Sequence, residues 1–173
     1  MNLKEYVREI ADFPKPGIGF KDVFGIFNAP EALKSCIDQL AEIVPPTDYD
    51  VIIGPEARGF LVGMPVAYLK GKGFVPVRKP GKLPGETVSV EYELEYGTDR
   101  LEMQKDSIQA GDRVLILDDL LATGGTTKAI TEMVENAGAS VVACCFVMEL
   151  DFLPGRQALA GYRVESLIHY DAE

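Results

Sequence analysis

"VLILDDLLATGGTT", residues 114–127, runs from four aliphatic residues through two adjacent aspartates into a loop of Ala, Thr and Gly. The aliphatic run, 114–117, has the length and character of a buried strand. Beyond the loop, Ile130, Met133, Val134 and Ala137 recur at helical spacing, Gly138 follows as a cap, and another strand opens at Val141. Strand, loop, helix and strand in that order imply a mostly parallel α/β sheet flanked by helices and wound right-handedly.

Working outward, "YDVIIG" (49–54) and "GFVPVR" (73–78) read as further short strands, separated by a helix over 60–70 despite Pro65. A helix is expected from Pro30 to about Ile43, with Leu33, Cys36, Ile37, Leu40 and Ala41 inward. "TVSVEYELEY" (87–96) alternates like an antiparallel ribbon, after the turn-rich "RKPGKLPGE". Leu3, Tyr6, Val7, Ile10 and Ala11 fit a first helix within residues 1–13, and "FPKPGIGF" (13–20) must be a shaped loop. Ligands in parallel sheets bind beyond the carboxyl ends of the strands. Those ends are 54–59, 78–82 and 118–126, so all three are expected on one edge.

The glycine loop Ala122, Thr123, Gly124, Gly125 and Thr126 precedes a helix, where backbone N–H groups, hydroxyls and the positive helix end make a phosphate cradle. Its spacing fits neither a Walker A loop nor the dinucleotide fingerprint. Successive strand side chains point apart, so Asp118 and Asp119 are not expected to be buried in one pocket, but at a strand end both can reach a ligand. Two carboxylates are tolerated against hydroxyls, a cation or a magnesium-bound substrate. Beside a phosphate cradle, they call for a ligand with hydroxyls and phosphate together. A ribose 5-phosphate answers both demands.

The chain has 173 residues, 47% of them hydrophobic and 25% charged, which suits one globular domain with a real core. A net charge of -10 argues against nucleic acid or anionic lipid as partners. Residues 57–85 nevertheless carry no Asp or Glu, while Arg58, Lys70, Lys72, Arg78, Lys79 and Lys82 lie there. Such a basic island points to a small polyanion. Cys36, Cys144 and Cys145 lack metal spacing and read as reduced, buried thiols. His169 reads as structural or exposed. The longest apolar stretch, 60–69, is too short for a bilayer, and a cytoplasmic protein is expected.

The central motif resembles the phosphoribosyl diphosphate binding motif of the type I phosphoribosyltransferases, most nearly their adenine-using branch. "FPKPGIGFKD" (13–22), "GPEARGFLVG" (54–63), "VPVRKPGKLPGET" (75–87) and "LEYGTDRLEM" (94–103) resemble that family in the same order. The resemblance implies a single domain over 1–173, with a small N-terminal hood at about 1–30 and a flexible flap at about 84–105. It also implies a homodimer and the conversion of adenine and 5-phosphoribosyl diphosphate to AMP and diphosphate, with Mg2+ carried mainly by the substrate.

Carried over by position, Asp118 and Asp119 would hold the ribose hydroxyls and the loop 122–126 the 5-phosphate. Arg58 and Gly59 would meet the diphosphate, with Arg78, Lys79, Lys82 and Tyr96 around it. Glu95 would manage the proton of the base. From the residues alone, Glu95 is a solvated strand position beside Glu91 and Glu93; only the resemblance gives it a role. Gly19, Phe20 and Lys21 would read the base, Phe20 by stacking. Lys21 stands where the family usually has arginine, which removes a guanidinium-specific contact. Relatives that use 6-oxopurines open the phosphate loop with an aspartate; Ala122 stands there, which favours adenine over hypoxanthine or guanine. A DNA-binding nucleotide sensor would need a basic recognition helix, and the first 45 residues offer none.

Overall fold

The computed structural model describes residues 1–93 and 96–172. In chain order its elements begin with a 3-10 turn at Leu3–Tyr6, then β1 (Arg8–Ile10), β2 (Phe20–Asp22), α1 (Phe24–Phe27), α2 (Pro30–Ile43) and β3 (Val51–Pro55). There follow α3 (Arg58–Lys70), β4 (Gly73–Val77), β5 (Thr87–Glu93), β6 (Thr98–Gln104), β7 (Arg113–Leu121) and α4 (Gly125–Asn136). The chain closes with β8 (Ser140–Leu150), α5 (Gly155–Ala158) and β9 (Val164–Tyr170).

The five-stranded sheet has the order β4-β3-β7-β8-β9, and every pairing in it is parallel. Period-two alternation divides its side chains between two cores. Leu115, Leu117, Cys145 and Val147 pack under α2 and α3; Ile53, Val114, Ile116, Cys144 and Phe146 pack under α4. The adjacent cysteines thus face opposite layers, and burial pushes both thiols up to about 12.

Helix α2 starts with Pro30 at a position that needs no N–H donor, and buries Ala32, Cys36, Ile37, Leu40 and Ala41. Helix α3 ends at Gly71 in the left-handed conformation, φ 68°. Gly63 lets α3 settle on the sheet: a β-carbon there would come within 2.3 Å of the Phe74 ring. Strands β5 and β6 form a separate antiparallel ribbon, with Leu101 and Met103 buried on the α4 side.

The N-terminus departs from the helix expected over 1–13. Asn2 caps a single 3-10 turn, and residues 8–10 become β1. The Phe13 amide donates to the Ile18 carbonyl and the Gly17 amide to the Asp12 carboxylate, folding the chain back. That return sets Phe20–Asp22 beside Arg8–Ile10, and pairing between them supplies the backbone partners a helix would otherwise have given. Strand β9 was not anticipated, and β7 runs four residues beyond the expected 114–117, through both aspartates.

Candidate active site

Three chain segments meet beyond the carboxyl ends of β3 and β7 around a cavity of about 560 Å³. Pro55 to Arg58 form one wall, Asp118 to Leu121 the floor, and Ala122 to Thr127 the other wall, with Phe24 at the edge. The edge predicted for ligands is therefore where the cavity lies.

Both aspartates line this one cavity at the strand end, as expected of a pair that can reach one ligand, and only one of them is fully buried. Leu117 packs under α2 and α3, yet Leu120, three positions on, packs on that same side, and Leu121 joins the α4 side with Ile116. Through these positions β7 keeps its register with β8, Asp118 opposite Phe146 and Leu121 opposite Glu149. Asp119 is buried, with 4% of its surface exposed, and Asp118 is half-buried. The Asp119 amide donates to Asp118 Oδ1 at 2.8 Å. Burial, and then the Asp119 charge, push the Asp118 carboxyl well above the usual carboxylate range.

Arg58 opens α3 and sets its Nε 2.8 Å from Asp119 Oδ2. The two charges are close, but the alignment is not that of a hydrogen bond, and Oδ2 has no hydrogen-bond partner among the described residues. Gly59, next along, is pressed against Asp118 and Pro55. Across the cavity Gly124, φ 84°, turns the chain into α4. No side chain caps the start of either α3 or α4 among the described residues. Two helix N-termini thus present their unfilled N–H groups to one cavity, with two carboxylates between them.

The loop Ala122 to Thr126 is propped from behind. Gly155, the first residue of α5, leaves no room for a side chain, since a β-carbon would fall 2.5 Å from the Ala122 carbonyl oxygen. Its neighbour Arg156 is fixed by two bonds to Glu149, at 2.8 and 3.0 Å, and one to the Val164 carbonyl at 3.0 Å. Ser166 donates to the same Glu149 at 2.7 Å.

The remaining expected residues divide. Arg78 Nε bonds Glu56 at 3.1 Å, and the Lys79 amide bonds that carboxylate at 2.7 Å, so the end of β4 is tied to the cavity wall without itself lining it. The Lys79 ammonium turns to Asp99 on the ribbon, and Lys82 is exposed in the turn. Lys70 and Lys72 lie at the far end of α3, bonded to Glu42 and the Tyr49 carbonyl. The basic island is thus smaller at the site than its sequence count. Most of its cations meet acids from outside residues 57–85.

Phe20 stacks edge-on with Phe13, and the Arg58 guanidinium carbon lies 5.9 Å from the Phe20 ring centre, which brings the hairpin to the cavity mouth. Gly19 has open space beside it. The Lys21 ammonium turns aside to Glu9, at 2.6 Å, and to the Tyr170 ring. Tyr96 is 88% exposed, and Glu95 lies outside the described residues. Sequence reading missed Phe24, Glu56 and Gly155. Glu56 stood at the border of the basic island and was the one with a visible signal.

The phosphoribosyl transferase domain family matches residues 25–158. The chain is similar to the adenine phosphoribosyltransferase of Alkaliphilus metalliredigens, 58% identical over 98% of this chain and all of that one. It is also similar to that of Clostridium perfringens, 56% identical over 99% of each. Among solved structures, the adenine phosphoribosyltransferase of Thermoanaerobacter pseudethanolicus superposes with a TM-score of 0.93 at 54% identity, over 97% of this chain and 98% of that one. The Saccharomyces cerevisiae enzyme, complexed with an imino-altritol bisphosphate and adenine, gives 0.88 at 46% identity over 95% and 96%.

Proposed function

Since the chain belongs to the phosphoribosyl transferase domain family, we propose that it joins adenine to 5-phosphoribosyl diphosphate, yielding AMP and diphosphate, a pentosyl transfer of purine salvage. The observation that carries this reading is the cavity itself, with a helix N-terminus on each side and a carboxylate pair between. The substrate has the same layout: a phosphate at one end, a diphosphate at the other, and ribose hydroxyls in the middle.

Asp118 and Asp119 hold the ribose hydroxyls, and residues 122–126 hold the 5-phosphate. Arg58 and Gly59 receive the diphosphate, with Arg78, Lys79, Lys82 and Tyr96 supporting it. A purine nitrogen bonds to the ribose C1 as the C1–O bond to diphosphate breaks, so negative charge grows on the leaving group and positive charge on the ring. Arg58 answers the first. The carboxylates, held against the ring hydroxyls, suit the second. Glu95 takes up the proton traffic of the base, and Gly19, Phe20 and Lys21 border the base, Lys21 through its backbone. Ala122 supports adenine, because it places no carboxylate where a 6-oxopurine would need one.

In the cavity Glu56, Asp118 and Asp119 outnumber Arg58, so a polyanion suits it only when accompanied by a cation. Mg2+ carried on the diphosphate fits that balance and would neutralise the leaving group. The β1–β2 hairpin serves as hood and the β5–β6 ribbon as flap of a single domain. A homodimer is supported by a stripe on α3, Leu61, Met64, Tyr68 and Leu69, which exposes apolar surface. No helix of the described residues is long and apolar enough to cross a membrane, which accords with a cytoplasmic setting.

A turnover assay with magnesium, phosphoribosyl diphosphate and each of adenine, hypoxanthine and guanine tests the reading. Adenine is expected to be converted fastest. Faster conversion of hypoxanthine would overturn the choice of base, and diphosphate binding without turnover of any base would overturn the enzyme.

A further inference from the structure

The turn after β4 is joined to the β5–β6 ribbon by a contact that the proposed chemistry leaves unused. The Lys79 ammonium donates to the Asp99 carboxylate on β6 and lies 3.4 Å from the Tyr92 hydroxyl on β5. That hydroxyl also donates to Asp99 Oδ2, at 3.3 Å. Tyr92 and Asp99 are direct partners in the antiparallel register, so the ribbon presents both to Lys79 as one unit. Chiefly through its bond with Asp99, Lys79 is held above the usual lysine range and stays charged.

The Tyr92 ring has a second neighbour. Its edge lies 3.7 and 3.9 Å from the place a β-carbon of Gly125 would occupy, and Gly125 is the first residue of α4 and part of the cavity wall. The ring is therefore a neighbour of both the loop that lines the cavity and the ammonium, which sits 5.9 Å from the ring centre.

We infer that Asp99 and Tyr92 are positioning residues that hold the Lys79 ammonium at the cavity rim, oriented for the diphosphate. The inference rests on the proposed reading of Lys79 as a diphosphate contact. An ammonium has three donors; two are engaged by the ribbon and the third remains for a phosphate oxygen. A free lysine would lose its rotamer freedom on binding, whereas this one has largely lost it beforehand. The arrangement also makes diphosphate affinity depend on the ribbon being docked.

The test compares Asp99→Ala, Asp99→Asn, Tyr92→Phe, Lys79→Met and the double variant Lys79→Met/Asp99→Ala in the full chain. KM is measured separately for phosphoribosyl diphosphate and adenine, and calorimetry gives the affinity for the magnesium complex of phosphoribosyl diphosphate alone. Asp99→Ala should raise the phosphoribosyl diphosphate KM by roughly fivefold, the upper range for a partly exposed ion pair, and move the adenine KM by less than about twofold. Asp99→Asn, which keeps an acceptor, should recover part of the loss, and Tyr92→Phe should lose less than Asp99→Ala. In the Lys79→Met background, adding Asp99→Ala should change nothing further, as a shared interaction requires. An equal loss in both backgrounds, or none in the parent, overturns the positioning role. Unchanged calorimetric affinity in Lys79→Met instead overturns Lys79 as a diphosphate contact, and the inference with it.

Discussion

Gly59 lies flat against the Asp118 carboxylate: a β-carbon on the glycine would stand 3.1 Å from Asp118 Oδ1 and 2.7 Å from Pro55 Cδ. The contact with the proline ring at the end of β3 is too short to keep, so a side chain here must push the start of α3 away from β3 and shift the Asp118 carboxylate with it. Gly59→Ala is expected to fold but to lose roughly a hundredfold in kcat/KM, the order that a misplacement of about 1 Å costs. Steady-state kinetics beside a thermal melt check this; near-parental kcat/KM would show that Asp118 need not sit where it does.

Asp118 itself trades stability for binding. Because its carboxyl is raised by burial and by Asp119, the folded chain retains a proton that the unfolded chain has already released. The associated stability is complete below the unfolded carboxylate value of about 4 and is lost as pH rises through the raised folded value. Asp118→Asn imitates the protonated form. It should melt higher than the parent at neutral pH, by a margin that vanishes below about pH 4, while binding phosphoribosyl diphosphate more weakly. Calorimetric melts across pH decide it, and a lower Tm at neutral pH would contradict it.

At the other end of the sheet the sign is reversed. Hydrogen bonds donated by Arg113, from its side chain first and from its backbone amide second, draw the Asp50 carboxyl down to about 2. Its contribution is present above the unfolded value of about 4 and disappears as pH falls toward 2. Asp50→Asn should therefore flatten the acid limb of the stability curve. Tm measured between about pH 2 and 7 should show the variant and parent converging at the acid end.

The apolar stripe on α3 offers an independent check on assembly. Tyr68 is 91% exposed and Met64 56%, a poor arrangement for an isolated chain. Tyr68→Glu with Met64→Glu should shift the protein from dimer to monomer in sedimentation without lowering its helical content. A parent that sediments as a monomer would remove the homodimer from the reading.

Four of the five sheet strands and the ligand edge were legible in the sequence because β3, β4 and β7 are short aliphatic runs ending in distinctive loops and β8 follows a capped helix, whereas β9, VESLIHY, carries no such signal. The N-terminus was not. Five apolar residues at helical spacing satisfy a helix and a 3-10 turn plus strand equally, and the choice is made by pairing with Phe20–Asp22. The basic island was visible but overcounted, since Glu42, Glu56, Asp99 and Asp119 reach its cations from across the fold. A reading along the chain registers charge by position, whereas neutralisation depends on the third dimension. That Asp118 and Asp119 reach one cavity was legible from their place at a strand end, whereas the near-complete burial of Asp119 beneath Arg58 was not, because it depends on how α3 packs.

The prop behind the loop Ala122 to Thr126 bears on how this scaffold can be recombined. Gly155 fixes the height of Ala122, and Arg156 fixes Gly155 through Glu149, Val164 and Ser166. The family match ends at residue 158, before two of those anchors. A chimaera that joined this loop to a foreign tail at that boundary would inherit every residue lining the cavity, with Gly155, Arg156 and Glu149, and still lack the Val164 carbonyl and the Ser166 hydroxyl that hold them. Glu149, Arg156 and Ser166 should travel together in any such graft, although none of them borders the cavity.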